Sequence, residues 1–378
     1  MLISRPQVSR RSVLRAVLAG GPLAALQVGA FAQPSSGLSS DTGAEFITPD
    51  TQAAIDRGLE LLAQSQLANG SFEGRLRGST AGVTGLSGLA LLGAGNQPGR
   101  GKYGRNVSRV VDYVTGSLAD TNSGFLGDNP FNRLASPQYA TYGHGFASLF
   151  LAEVCGMLPD VQSQKKVRAV LEKATAFAVA AQNAEGGWRY EPNALPADVS
   201  VTVAMMMALR AARNAGVFVP KDVVRRGAKY IRDCQLTDGG FRYFRSIGLP
   251  ESAFARSAAA VVGLYSASIP EDEKVNSAAI ERGLRYLRQF VPNRQFSQHE
   301  LSPAHYYYYG QYYAALAMWS AGGDYWRTWF PAIRDELLGR ARANDGTWSG
   351  DQHGSAYATA MSLIVLQLPN NYLPILQK

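Results

Sequence analysis

Residues 182–190 read QNAEGGWRY, and residues 235–243 read QLTDGGFRY. Both stretches carry a glutamine, a glycine pair, one large aromatic and then Arg-Tyr, 53 positions apart. Looser versions carry Phe72 (QLANGSF), Phe125 (SGFL), Phe296 (RQFS) and Trp348 (RANDGTW). The six aromatics are separated by 53, 63, 53, 55 and 52 residues. A period near fifty identifies stacked supersecondary units rather than one irregular core. Upstream of each aromatic lies a segment with apolar residues on one stripe, such as Ile55, Leu59, Leu62 and Ala63 within residues 53–66. That spacing predicts an amphipathic helix. Downstream lies a more uniformly apolar segment, such as VTVAMMMALRAA (residues 201–212) or YATAMSLIVLQL (residues 357–368). A helix that is apolar all round is buried on every side. Six outer helices alternating with six inner ones predict an all-α fold, an (α/α)6 toroid. Closure of the ring removes the need for the polar caps that an open solenoid requires.

The chain has 378 residues, 46% apolar and 17% charged, the composition of a globular protein. Residues 1–32 read as a leader. SRRSVLR (residues 9–15) precedes an apolar stretch and a small-x-small site, AFA, at residues 30–32. The pattern resembles a twin-arginine export signal, with a periplasmic or secreted destination. Gly20, Gly21 and Pro22 interrupt the apolar stretch, and no transmembrane span is expected in the mature chain. Arg5, Arg10, Arg11 and Arg15 fall in the leader with no acid, so half of the formal net charge of +8 leaves with it. No basic run is interleaved with stacking aromatics, which argues against a nucleic-acid partner. Residues 33–46 form a Ser/Gly-rich lead-in, and residues 47–378 read as one toroid domain. Cys155 and Cys234 sit in apolar helical contexts and read as two buried free thiols.

The repeats resemble those of the α/α-toroid superfamily, which includes squalene–hopene-type cyclases and protein prenyltransferases. The cyclase motif Gln-x-x-x-Gly-x-Trp is matched fully by residues 182–188, and with Phe for Trp by residues 66–72 and 235–241. The resemblance covers residues 47–367 and implies the fold. It carries the usual chemistry poorly. Where the cyclases have Asp-x-Asp-Asp-Thr, residues 198–202 read DVSVT. The first acid falls on Asp198, the proton-donating second on Ser200 and the third on Val201. A serine cannot supply that proton, and Asp198 with Ser200 can simply cap the next helix. The zinc trio of the prenyltransferases is missing as well: the ligand histidine falls on Ala358, and Cys234 precedes its glycine pair. His299 and His305 lie six apart across Pro303, which suits no helical metal pair. Neither a metal nor a cofactor is expected.

Aligning the six inner helices brings their N-terminal ends to one face. At this mouth the sequence places His144, Asp198, Ser200, Glu251, Arg256, His305, the tyrosines 306–309, Asp351, His353 and Tyr357. The expected ligand contacts are His144, Asp198, Ser200, Arg256, His305, Tyr307, Tyr308, His353 and Tyr357. The candidates for catalysis are Asp198, His144, Glu251 and Arg256. Met205, Met206, Met207, Tyr312 and Trp319 are expected to form the wall below. As a mouth residue, His144 should tolerate alanine at a cost under about 1 kcal/mol. Taken together, these features point to an exported toroid that binds an apolar, isoprenoid or envelope-derived ligand. Two alternatives stay open. One is an isoprenoid cyclase or transferase with a relocated acid. The other is a carbohydrate-active, lyase-like toroid in which Arg256 neutralises a uronate.

Overall fold

The computed structural model describes residues 43–75, 80–127, 140–292, 306–342, 345–349 and 352–377. The leader (residues 1–32) and most of the lead-in lie outside the described residues, as do the repeat aromatic Phe296, His305 and Asp351. The outer helices are α1 (Pro49–Gln64), α3 (Gly104–Tyr113), α5 (Val161–Ala180), α7 (Lys221–Asp233), α9 (Glu273–Leu287) and α11 (Gly323–Arg342). The inner helices are α2 (Thr80–Gly93), α4 (Ala140–Val154), α6 (Val199–Asn214), α8 (Phe254–Ala267), α10 (Tyr307–Ala321) and α12 (Ser355–Gln367). Among the described residues there is no strand, only isolated bridges at the turns.

Burial follows the sequence pattern. On α1, Ile55, Leu59 and Leu62 are buried while Asp56 and Arg57 face solvent. On α2, every residue from Ala81 to Gly93 is buried. Each inner helix packs on its two inner neighbours, and α12 packs on α2, which closes the ring. Small residues set how closely these helices approach. A Cβ added to Gly85 would stand 2.6 Å from the Phe146 carbonyl oxygen of α4.

One joint recurs in three of the hairpins. Gln182 donates through Nε2 to the Gly186 carbonyl of its own turn (2.7 Å) and to Val223 O of the next outer helix (2.9 Å). Gln66 does the same to Gly70 O and Asn106 O, and Gln235 to Gly239 O and Ala279 O. A single amide therefore satisfies a turn carbonyl and ties that turn to the neighbouring repeat. Gly186 holds φ at 88°, and a Cβ there would press on the Arg226 carbonyl at 2.9 Å, so only glycine suits the turn. The aromatic that follows is buried, and its backbone N–H donates to a hydroxyl four or five residues into the inner helix. The pairs are Phe72 with Thr84 (3.0 Å), Trp188 with Thr202 (3.0 Å), Phe241 with Ser257 (2.8 Å) and Trp348 with Thr359 (3.4 Å). The indoles of Trp188 and Trp348 also donate back to carbonyls of their outer helices, Ala178 O and Leu337 O.

The last joint returns to the first outer helix. Arg57 of α1 donates to Asp345 O at 2.8 Å, and Gln367 of α12 donates to Ala90 O of α2 at 3.1 Å. Beyond α12 the chain crosses the end of the ring away from the inner-helix N-termini. Asn370 there donates to Gly93 O, and the Ile375 amide donates to Glu153 Oε2 at 3.1 Å. Leu373 and Ile375 are buried, and the turn Pro374–Leu376 packs on α6. Burial pushes the Glu153 carboxyl up to about 7, against the pull of the Ile375 amide and Arg210. Cys234 is buried and Cys155 half-buried, and both are free thiols.

Candidate functional site

The N-terminal ends of all six inner helices share one face, since each lines the same cavity. A cavity of about 440 Å³ opens there. Each inner helix contributes its first turns or the residues just before them: Gly82, Val83 and Leu86; Tyr142, Gly143 and Phe146; Ser200; Ala253, Ala255 and Arg256; Tyr306 and Tyr309; His353 and Tyr357. Tyr190 and Tyr243 complete the wall. Each follows its repeat aromatic by two residues, so the shared Arg-Tyr delivers the same side chain twice. Their hydroxyls meet at 2.6 Å. A second pair, Tyr142 and Tyr309, meets at 3.2 Å. Burial raises all four phenols above their ordinary value, so they remain neutral hydrogen-bonding groups at neutral pH.

Behind Ser200 lies Asp198, fully buried. It caps α6: Oδ1 accepts the Val201 amide at 2.9 Å. Oδ2 has no hydrogen-bond partner and stands 3.8 Å from Nη1 of Arg189, itself buried and without one. The Arg189 guanidinium lies flat over Tyr190 (4.6 Å) and Phe244 (4.8 Å). Burial pushes the Asp198 carboxyl up to about 7. The Val201 amide, Arg189, the Ser200 amide and Tyr243 pull the other way. The pair is held by packing as much as by charge, since the desolvation of both ions offsets much of their attraction.

The structure brings Ser200, Arg256, His353 and Tyr357 onto the cavity wall. His353 stacks obliquely on Tyr357 at 4.8 Å, and burial lowers it to about 4, so it is neutral at pH 7. The other expected contacts lie elsewhere. His144 is not at the mouth: it is fully buried, with its ring stacked on Phe125 and tilted against Phe177 at 4.8 Å. Its Nδ1 accepts the Leu126 amide (3.0 Å), and Nε2 donates to Ala174 O (3.1 Å). Near the start of its inner helix it does what Thr84, Thr202, Ser257 and Thr359 do in theirs, except that the amide it accepts belongs to Leu126, the residue after Phe125. Tyr307 turns outward to Glu336 (2.6 Å) beneath Arg340, and Tyr308 donates to Ser349 O (2.9 Å). Tyr306 and Tyr309, three apart on α10's leading turn, face the cavity in their place. Glu251 is exposed on a loop beside Arg256, 3.6 Å from its Nη2. Met205, Met206, Met207, Tyr312 and Trp319 are buried in packing and do not line the cavity. His305 lies outside the described residues.

Residues the sequence reading passed over are Tyr142, Phe146, Tyr190 and Tyr243. The signal for the last two was visible in GGWRY and GGFRY, where the tyrosine is as periodic as the aromatic before it.

Comparison of the architecture with solved structures decides the fold. Cellobiose 2-epimerase from Spirochaeta thermophila superposes with a TM-score of 0.63 at 13% identity, over 89% of this chain and 99% of that one. A GH76 alpha-mannanase from Bacteroides thetaiotaomicron gives 0.61 at 11% identity, over 88% and 98%. The type II terpene cyclase MstE from Scytonema, as a variant in complex with its substrate geranylgeranyl dihydroxybenzoate, gives 0.57 at 13% identity, over 86% and 98%. The chain is an α/α toroid. At these identities the likeness extends to the fold alone. No protein-family profile matches the chain, and no curated protein matches it in sequence. Among the described residues, no three His, Cys, Asp or Glu side chains gather as a metal site would require, and no helix is long and apolar enough to cross a membrane.

Proposed function

We propose that this toroid binds an apolar, isoprenoid-type ligand in the mouth cavity and does not carry out polyene protonation. The observation that carries the reading is the wall itself. Tyr142, Tyr190, Tyr243, Tyr306, Tyr309, Tyr357 and Phe146 surround about 440 Å³. A concave, mostly aromatic pocket of that size suits a small hydrophobic ligand. Among the described lining residues there is no carboxylate. Glycoside hydrolysis requires two across the scissile bond, so the described wall does not favour a hydrolase; the lyase-like alternative, which calls on tyrosine, histidine and Arg256, stays open. The cyclase acid falls on Ser200, which does line the cavity and has no proton to give at the required strength.

One observation favours a catalytic alternative. Asp198, raised to about 7, sits behind Ser200 near the tyrosine pairs. Its carboxyl is fully buried and outside the wall, which makes direct contact with an alkene unfavourable. The test is titration of farnesol, geranylgeraniol and squalene into the purified protein, followed by tyrosine fluorescence, with gas chromatography of the same incubations. Saturable binding below about 10 μM without new cyclic products supports the proposal. No binding of any of the three overturns it. Cyclic product that disappears in Asp198→Asn would establish the catalytic alternative.

Export by the twin-arginine route is part of the same proposal and is supported by residues 9–15 and 30–32. Arg10→Lys with Arg11→Lys should leave precursor in the cytoplasm. Undiminished periplasmic accumulation would refute the route.

A further inference from the structure

Arg256 is the one formally charged side chain among the described residues of the cavity wall at neutral pH. His353 is lowered to about 4 by burial, and the four paired tyrosines are raised. The Arg256 side chain is four-fifths buried, at 20% exposure. The plane of its guanidinium is fixed from two sides: Nε donates to Phe241 O at 3.1 Å, and Nη2 donates to Glu251 O at 2.8 Å. Both acceptors are neutral carbonyls. Of the five N–H donors on a guanidinium, these contacts use two. Among the described residues the nearest carboxylate oxygen, Glu251 Oε1, is 3.6 Å from Nη2 on a side chain that is 70% exposed. A charge-assisted bond of this kind is normally about 2.7–2.9 Å, and exposed pairs contribute little. A cation in an aromatic cavity thus has a rigid orientation and only a loose, solvated counter-ion.

We propose that the ligand's head is an anion, a carboxylate or phosphate, which binds Arg256 at the mouth and displaces the side chain of Glu251, while its apolar body lies among the tyrosines. This inference rests on the isoprenoid-binding reading and names the ligand class within it. Glu251 is the placeholder: it tempers the charge when the cavity is empty and competes with the head when ligand arrives. Removing it therefore strengthens binding, the reverse of what removing a contact does.

The experiment titrates three probes: geranylgeranoic acid, geranylgeraniol with the same chain and a neutral head, and glucuronic acid with the charge but no chain. Each is run on the full chain and on Arg256→Gln and Glu251→Gln, at low and high salt. The unmodified protein should bind the acid about tenfold tighter than the alcohol, with the difference shrinking as salt rises. Arg256→Gln should bring that ratio near one while alcohol binding persists. Glu251→Gln should tighten acid binding several-fold and leave the alcohol unchanged, and this variant keeps the proposal testable if Arg256→Gln does not fold. Alcohol binding without preference for the acid overturns the anionic head and leaves the isoprenoid reading intact. Binding of neither prenyl compound overturns both, as does binding of glucuronic acid alone.

Discussion

His144→Ala should destabilise the toroid by about 3–5 kcal/mol, many times what a surface histidine would cost. Two contributions make up the figure. Removing the ring leaves the Leu126 amide without its acceptor, and Leu126 is fully buried. An unsatisfied buried donor costs about 1–3 kcal/mol. The void between Phe125 and Phe177 adds about 2 kcal/mol or more, as large-to-small core changes do. The pH dependence supplies an independent check. Burial lowers His144 from 6.5 to about 4, so the unfolded chain takes up the proton first as pH falls. Its contribution is full above pH 6.5 and is lost progressively toward pH 4. A shift of that size corresponds to about 3 kcal/mol. Urea melts of the parent and the variant, at pH 7.5 and stepwise down to pH 4, should therefore show a difference that narrows with acid. A loss under about 1 kcal/mol at pH 7.5, or one that stays constant with pH, would mean that the ring is not packed and bonded as described.

Trp188→Ala should cost about 3–5 kcal/mol in the same melts, because it empties a buried joint and frees Ala178 O; a smaller loss than that of an exposed control would refute the role of the repeat aromatic. Glu153→Gln tests the opposite titration. The Glu153 carboxyl is raised from 4.5 to about 7, so its contribution is present below pH 4.5 and is lost as pH rises through 7. Relative to the parent, the variant should gain up to about 3 kcal/mol between pH 4 and pH 8, and no change in the difference would refute a buried carboxyl there. Ser200→Asp with Val201→Asp restores the two missing acids of the cyclase motif. It should yield no cyclic product from squalene by gas chromatography, because Val201 is fully buried and the new charges would crowd Asp198. A product absent from the parent would show the proposal of a non-catalytic cavity to be wrong.

The ring was legible because its signals are local and repeated. Gln182, Gly186 and Trp188 perform in one hairpin what Gln235, Gly239 and Phe241 perform in the next, so a period along the chain reports a period in space. The mouth was legible only as a place. Helix starts can be aligned from the sequence, but which way a side chain turns depends on neighbours far along the chain. Tyr307 and Tyr309 differ by two positions and face Glu336 and Tyr142 respectively. His144 was misplaced for a similar reason. A histidine near a helix start suggests a ligand contact, whereas its role becomes visible only beside Thr84, Thr202, Ser257 and Thr359, which occupy the same joint with a different chemistry. The loose counter-ion of Arg256 has no sequence signal at all.

The closing contact has a consequence for timing. Arg57 reaches Asp345 across 288 positions, and Gln367 reaches Ala90 across 277. The flank of α1 therefore waits for its partner until nearly the whole chain has left the ribosome. Contacts so distant in sequence form late, after their loop-closure entropy has been met. The first hairpin then spends synthesis as an incomplete half-joint with its apolar side uncovered, the state in which chains aggregate. Under the proposed twin-arginine export, a leader that emerges first and a ring that closes last would make opposite demands on a translocation machine. A route that accepts finished, folded cargo reconciles them, whereas one that threads an unfolded chain would have to assemble the whole circle on the far side.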